Sequence, residues 1–185
     1  REFSIQYLVG SSYQQLEEYD KATKLLRRAL TIYPDSRGAR HTLAIASDAM
    51  RHWSESDSLY EGLIASDTND VQALNNYSYS LVERNIQLKK SLEMSKKAID
   101  MEPDNAAYLD TIGWIYFKLN NAQKALYYIR RSIELEGENA VVLEHLGDVL
   151  IATDQTEEAR TIYLRALEID KDNELLKQKA GVISD

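Results

Sequence analysis

Apolar side chains recur along the chain with the spacing of one face of an α-helix. In one stretch, small or apolar residues stand at positions i, i+3, i+4 and i+7: Leu109, Ile112, Gly113 and Tyr116. A second stripe of this kind begins at Ala125, and the first stripe returns at Leu143. The stripes predict pairs of amphipathic helices of about 13–15 residues each, joined by a short turn.

This two-helix pattern repeats five times, with an almost constant period of about 34 residues. One column of small residues recurs at Gly10, Ala44, Ser78, Gly113 and Gly147. Its steps are 34 residues long, except that the step from Ser78 to Gly113 is 35. In the column that starts at Ala22, the longer step ends at Ser91, so one extra residue lies within 85–90. The repeat units are predicted at 3–36, 37–70, 71–105, 106–139 and 140–173. Small residues are expected where the two helices of a unit cross closely.

These columns resemble the tetratricopeptide repeat, whose pattern is W-x2-L-G-x2-Y, then A-x3-F, then A, then P. The unit at 106–139 matches it with these residues: Leu109, Ile112, Gly113, Tyr116, Ala125, Ile129 and Ser132. The resemblance covers about residues 3–173 and implies an all-α fold, a right-handed α–α superhelix of five helix-turn-helix units in one domain. The string from Tyr108 to Trp114 is similar to the form common in bacterial multi-repeat proteins. The second and third units depart most from the pattern, because Gly62 falls inside the second helix of one and the other contains the extra residue.

The composition argues against several classes of function and fold. The formal net charge is −8, which disfavours non-specific binding to nucleic acid or an anionic membrane. The chain has no Cys, 7 Gly and 2 Pro, which excludes thiolate chemistry and argues against a large β architecture. No apolar run approaches the roughly 20 residues of a membrane helix. The start at Arg1 suggests a piece of a longer protein, so localisation stays open between cytoplasmic and exported.

Catalytic and metal motifs are absent from the sequence. No Gly-rich phosphate loop or nucleophile elbow occurs, and the three His side chains, His41, His52 and His145, are predicted to face solvent. Asp110, Glu144 and Asp148 form the one carboxylate group expected to converge. An open groove rarely shifts a pKa enough for acid–base catalysis, so peptide contact or a solvated surface is the favoured interpretation. No cofactor and no metal is predicted.

The resemblance implies a concave groove lined by the first helix of each unit. The face next to the core face, rotated by about 100°, is the predicted peptide-binding surface. Its residues are Tyr7, Ser11, His41, Asn75, Tyr79, Asp110, Trp114, Glu144 and Asp148. Trp114 and Tyr79 are predicted to be exposed anchors, whereas Val82, Phe117 and Ile151 are expected to pack between units. The Lys, Asn and Arg clamp with which some family members bind chaperone tails is missing.

Paired basic residues recur on the second helices of three units. The pairs are Arg27-Arg28, Lys96-Lys97 and Arg130-Arg131. A stripe of this kind could bind RNA or a lipid headgroup, but ordinary solvation is favoured because the chain is acidic and no stacking aromatics accompany the pairs.

The sequence therefore predicts a non-catalytic protein-interaction module that binds a peptide segment in its groove. Its partner is expected to carry an apolar anchor and basic residues, with no nucleic acid and no membrane insertion. Two alternatives stay open: an assembly domain that self-associates through its ends or outer face, and an enzyme supported by residues outside this segment. Residues 174–185 are predicted to cap the apolar end of the fifth unit.

Overall fold

The computed structural model describes residues 1–182, which form eleven α-helices and no β-strand. The helices are α1 (Glu2–Gln15), α2 (Tyr19–Ile32), α3 (Arg37–Ala49), α4 (Trp53–Ser66), α5 (Val71–Glu83), α6 (Leu88–Met101), α7 (Ala106–Lys118), α8 (Ala122–Glu136), α9 (Ala140–Ile151), α10 (Thr156–Ile169) and α11 (Glu174–Lys179). The predicted all-α helical-repeat fold is confirmed. That the five units form one domain stays a prediction.

The chain divides into two compact bodies. The N-terminal body comprises residues 1–80, and the C-terminal body begins at Leu81. In the N-terminal body, Leu26 and Leu43 lie at the centre of a buried cluster between α2 and α3. In the C-terminal body, Ile129 and Leu143 belong to a larger buried cluster that extends to α11.

The first helices of units two to five, and the short helix α11, each start at a side-chain cap. In five residues, a side-chain oxygen accepts a hydrogen bond from the backbone N–H three positions later: Ser36, Asp70, Asn105, Asn139 and Asn173. Their spacing follows the repeat, and the single longer step, from Asp70 to Asn105, spans the unit with the extra residue. A cap of this type is typically worth about 1 kcal/mol, so this column sets where the first helices begin.

The glycine column marks close helix crossings, as predicted. A Cβ atom added to Gly113 on α7 would lie 2.6 Å from Ile129 Cγ1 on α8, and 3.2 Å from the Ile129 backbone nitrogen. A Cβ atom added to Gly147 on α9 would likewise clash with the Tyr163 ring on α10. A larger side chain at either glycine would force the two helices of its unit apart.

The extra residue of the third unit lies in the turn between α5 and α6. This turn has two residues with left-handed backbone, Asn85 with φ 54° and Gln87 with φ 48°. The other four turns inside repeat units each have one such residue among the described positions: Glu17, Arg51, Asn120 and Asp154. The structure thus places the insertion inside the predicted interval of 85–90.

The short helix α11 packs against the end of the C-terminal body. Leu176 and Ala180 are fully buried, at the positions that Val142 and Leu146 occupy one repeat earlier. The described part of the predicted cap therefore covers α10 as the start of a further first helix would. Residues 183–185 of that predicted cap lie outside the described residues. Within residues 1–182, no helix has both the length and the apolar character needed to span a membrane.

Candidate functional site: the first-helix face

Trp114 is buried, so its predicted role as an exposed anchor is wrong. Its side chain is 5% exposed. The indole stacks on the His145 ring, with centroids 4.0 Å apart, and on Phe117 at 5.0 Å. Its Nε1 donates a hydrogen bond of 2.6 Å to Glu83, and Lys118 Nζ lies 4.2 Å from the ring centroid. Trp114 thus forms part of the packing between α7 and α9.

Asp110 and His145 form a buried pair between α7 and α9. His145 Nδ1 lies 3.0 Å from both carboxylate oxygens of Asp110, and the two residues are 5–6% exposed. The prediction that His145 faces solvent is therefore wrong. The carboxylate orients the imidazole, which in turn covers the Trp114 ring.

Glu144 and Asp148 lie on one face of α9, as predicted, but a cation from the same chain already binds them. Lys179 Nζ donates to Glu144 Oε1 at 2.7 Å and to the two Asp148 oxygens at 2.7 and 2.9 Å. The Tyr163 hydroxyl donates to Asp148 Oδ1 at 2.7 Å. Burial opposes the charge of Lys179, but its hydrogen bonds to Asp148 and Glu144 outweigh that effect and raise its pKa.

The two pairings of the C-terminal body are the same contact one repeat apart. Asp110 with His145 and Glu144 with Lys179 both span 35 residues. In each case an acidic side chain of one first helix contacts a basic side chain of the next. Comparing adjacent columns in the sequence, rather than reading each column alone, would have revealed this contact.

His41 is also buried, which corrects its predicted exposure, whereas His52 is exposed as predicted. His41 Nε2 lies 2.8 Å from Asp70 Oδ2, which also accepts a hydrogen bond of 2.9 Å from Arg37 Nε. The other Asp70 oxygen caps α5 at Ala73 N. Burial raises the pKa of Asp70, but the bonds from Arg37, Ala73 N and His41 outweigh burial, and the pKa is lowered. Asp70 is therefore a carboxylate at neutral pH.

Four buried polar atoms on the first helices of the N-terminal body have no hydrogen-bond partner among residues 1–182: Gln6 Oε1, Ser11 Oγ, His41 Nδ1 and Asn75 Oδ1. Three of these four residues belong to the predicted groove set. Among the described residues of the C-terminal body, the comparable atom is Ser95 Oγ, on a second helix. Because buried polar groups normally have partners, this cluster requires an explanation.

The two tyrosines of the predicted groove are partly exposed. The three residues expected to pack between units differ in their burial. Tyr7 and Tyr79 are half-buried. Val82 is fully buried and Phe117 is half-buried against the C-terminal core, as expected. Ile151 is 46% exposed, so the expectation that it packs between units is wrong.

Three of the six paired basic residues on the second helices contact a neighbouring unit. Arg27 forms a bidentate contact with Glu55 at 2.8 and 2.7 Å, and Arg130 contacts Glu158 at 3.1 Å, each 28 residues away. Arg131 contacts Asp104. The Arg27 and Arg130 pairs occupy equivalent places in the two bodies, which agrees with the interpretation of these cations as ordinary solvated surface.

A metal centre has no support within residues 1–182. No group of three or more His, Cys, Asp or Glu side chains there is placed to hold a metal ion.

Sequence comparisons give one family. Models of the tetratricopeptide repeat match residues 3–46 and 116–180. A TPR repeat-containing protein of Pseudomonas aeruginosa is 25% identical over 130 residues, which are 68% of this chain and 22% of that protein. The chain thus spans about a fifth of the length of this curated relative.

Solved structures of repeat proteins share the fold. A thermophilic TPR protein of Thermus thermophilus superposes with a TM-score of 0.84 at 20% identity, covering 97% of both chains. A tetratricopeptide repeat protein of Parabacteroides merdae superposes with a TM-score of 0.81 at 16% identity, and the match covers 97% of this chain and 70% of that one. PilF of Pseudomonas aeruginosa superposes with a TM-score of 0.72 at 20% identity, and the match covers 98% of this chain and 88% of that one. At these identities the likeness concerns the fold alone.

Proposed function

The chain belongs to the tetratricopeptide-repeat family, and from this we propose that it is a non-catalytic module that binds a peptide segment of a partner protein. Proteins with this repeat generally mediate protein–protein interactions and are typically scaffolds rather than enzymes. The proposed binding surface is the first-helix face of the N-terminal body, meaning the predicted groove residues on α1, α3 and α5.

The observation that carries this proposal is the pair of half-buried tyrosines, Tyr7 and Tyr79, which are partly exposed beside polar residues of the same face. Rigid aromatic rings at a partly polar surface supply much of the energy of protein interfaces. The partner's apolar anchor packs against one of these rings.

The sequence predicts that the partner's basic residues bind at Glu144 and Asp148, but Lys179 Nζ already donates to Glu144 Oε1 at 2.7 Å and to the Asp148 oxygens at 2.7 and 2.9 Å. These two carboxylates therefore hold α11 against α9, and the proposed binding surface rests on the two tyrosines.

Selection of 12-residue peptides from a random library on the purified protein tests this function. Tyr79→Ala should weaken the selected peptide about tenfold or more, mainly through faster dissociation. Tyr127→Ala is the matched control, because Tyr127 is 58% exposed on the second helix α8. Equal affinity for the wild type, Tyr7→Ala and Tyr79→Ala, with a loss for Tyr127→Ala, would move the site to the outer face.

Self-association is the second candidate, and one observation favours it. Ile5, Leu8 and Val9 on α1 are 55%, 62% and 41% exposed, whereas Ala39 and Leu43, at the positions of Ile5 and Val9 one repeat later, are buried. A second copy of the chain that covers this apolar face would increase the molar mass with concentration. Light scattering of the wild type and Leu8→Lys checks this, and a monomer at all concentrations removes the candidate.

A further inference from the structure

An open cleft on the N-terminal body lies where α2 faces the start of α4. Its volume is about 810 Å³, and its lining residues are Arg27, Arg51, His52, Trp53, Ser54, Glu55, Ser58 and Leu59. All of these residues belong to second helices or to the turn between α3 and α4, so the cleft is separate from the first-helix face. It is called the Trp53 cleft below.

Trp53 is the large aromatic side chain of this cleft, and 41% of it is exposed. The other tryptophan of the chain, Trp114, is 5% exposed. An exposed indole ring in a concave surface with polar residues around it is typical of a binding site, because such rings supply much of the energy of interfaces. The Trp53 ring therefore offers a flat apolar surface to an aromatic or aliphatic side chain of a ligand.

Arg51 and Arg27 provide the positive charge and the strongest hydrogen-bond donors of the cleft. Arg51 is exposed and forms no ion pair within residues 1–182. Arg27 binds Glu55 through Nε and Nη2, which leaves the Nη1 donors for another acceptor. Arg27 offsets the charge of Glu55, which also accepts a hydrogen bond of 2.7 Å from Ser47. The remaining charge of the cleft is positive, and it favours a carboxylate ligand.

The basic turn at Arg51 and His52 is particular to the second unit. The equivalent pairs in three other units are acidic or neutral: Glu17-Glu18 in the first, Asn120-Asn121 in the fourth and Asp154-Gln155 in the fifth. A nucleic acid or an anionic membrane presents many phosphates and binds to a row of cations. These turns offer no such row, and the chain has a net charge of −8. The charges therefore favour one short acidic segment over an extended polyanion.

The shape of the cleft favours a protein segment over a small molecule. Five of its lining residues are exposed: Arg51, His52, Trp53, Ser54 and Ser58. Small-molecule sites usually bury most of the ligand, which an open surface of this kind does not do. A peptide can instead place one apolar side chain on the indole ring and neighbouring carboxylates on the two guanidinium groups.

We propose that the Trp53 cleft is a second interaction surface, which binds a short acidic segment of a partner protein. An aromatic or aliphatic side chain of that segment packs on Trp53, and flanking Asp or Glu side chains accept hydrogen bonds from Arg51 and Arg27. This segment differs from the peptide proposed for the first-helix face, so the inference goes beyond the proposed function and stands independently of it.

The test is selection on the purified protein from a 9-residue peptide library, in which a varied central residue is flanked on each side by two Asp or Glu positions. We expect peptides with a central aromatic residue to be recovered, and their binding to weaken as the salt concentration rises. Arg51→Glu should weaken the selected peptide about tenfold or more, because it replaces attraction by repulsion. The fold tolerates this variant, because Glu17 occupies the same left-handed turn position in unit one, with φ 59° for both residues.

Lys171→Glu is the matched control. Lys171 is exposed in the turn before α11, outside the cleft, and its replacement changes the net charge by the same amount as Arg51→Glu. We expect this control to leave the affinity unchanged. Equal affinity for the wild type, Arg51→Glu and Lys171→Glu would overturn the inference, and so would a selection that recovers no peptide.

Tryptophan fluorescence locates the bound peptide, provided that the selected peptide contains no Trp. Binding should shift the Trp53 emission to shorter wavelength, and Trp53→Phe should remove the shift because Trp114 is already buried. Loss of the acidic peptide with Tyr79→Ala would place it on the first-helix face and overturn the inference. Tighter, Arg51-dependent binding of a 12-nucleotide single-stranded DNA would overturn it in favour of nucleic acid.

Discussion

The two bodies place the same repeat positions in opposite states. In the C-terminal body, Asp110 and Glu144 each contact a basic side chain of the next first helix, and Trp114 is covered by His145. In the N-terminal body, His41 Nδ1 and Asn75 Oδ1 are buried and have no hydrogen-bond partner in the part of the chain that the structure describes. Whether a polar side chain at this repeat position is paired within the chain thus follows the residue 35 positions later, which is basic only in the C-terminal body.

The largest expected effect is on the stability of the C-terminal body. Trp114→Ala removes a buried ring from its stack with His145 and Phe117 and leaves Glu83 without the indole donor. We expect the free energy of unfolding to fall by about 3–5 kcal/mol in chemical denaturation. A loss below about 1 kcal/mol would show that the ring is exposed after all, and would remove the contrast between the bodies.

Two glycines should respond in opposite directions to the same substitution. Gly113→Ala places a Cβ 2.6 Å from Ile129 Cγ1, and we expect a loss of about 1–3 kcal/mol. Gly62→Ala on α4 meets no atom within 4 Å at an exposed helix position, and a gain of up to about 1 kcal/mol is expected. Thermal melts of both variants check the packing register. Equal shifts of the same sign would contradict it.

Lys179→Met tests whether Lys179 stabilises the C-terminal body by binding the carboxylates of Glu144 and Asp148. The variant leaves Glu144 and Asp148 facing each other without the cation, and we expect it to cost about 1–2 kcal/mol. Adding Glu144→Gln and Asp148→Asn should recover part of that loss. Lys177→Met is the control, because Lys177 contacts Glu174 within α11 at the surface. If the two lysine variants lost the same stability, the contacts of Lys179 with Glu144 and Asp148 would contribute nothing beyond an ordinary surface ion pair.

The smallest expected effect is a change in acid sensitivity of the N-terminal body. The folded-state pKa of Asp70 lies below its ordinary value near 3.8, so its ionised form favours folding. That stabilisation is present above the unfolded-state pKa and is lost as pH falls through the folded-state pKa. Asp70→Asn should therefore flatten the fall in stability below about pH 4, as followed by chemical denaturation at a series of pH values. Identical profiles for wild type and Asp70→Asn would contradict the assigned carboxylate.

The fold was predictable from the sequence because its determinants are local or periodic. The close crossing at Gly113 follows from one column, and the insertion near Asn85 follows from the mismatch between two columns. The burial of Trp114 was not predictable from a single column, because it depends on His145 in the next unit. The partner of Asp148 was missed for a similar reason: Lys179 belongs to a segment interpreted only as a cap.

The most direct test of the account is a map of amide and imidazole NMR shifts when a library-selected peptide binds. We predict that the largest shifts fall on the first helices of the N-terminal body, around His41 and Asn75, and that Glu144 and Asp148, which Lys179 already binds, shift little. Shifts concentrated on the second helices, around Arg27 and Arg130, would contradict the central claim that the first-helix face binds the partner.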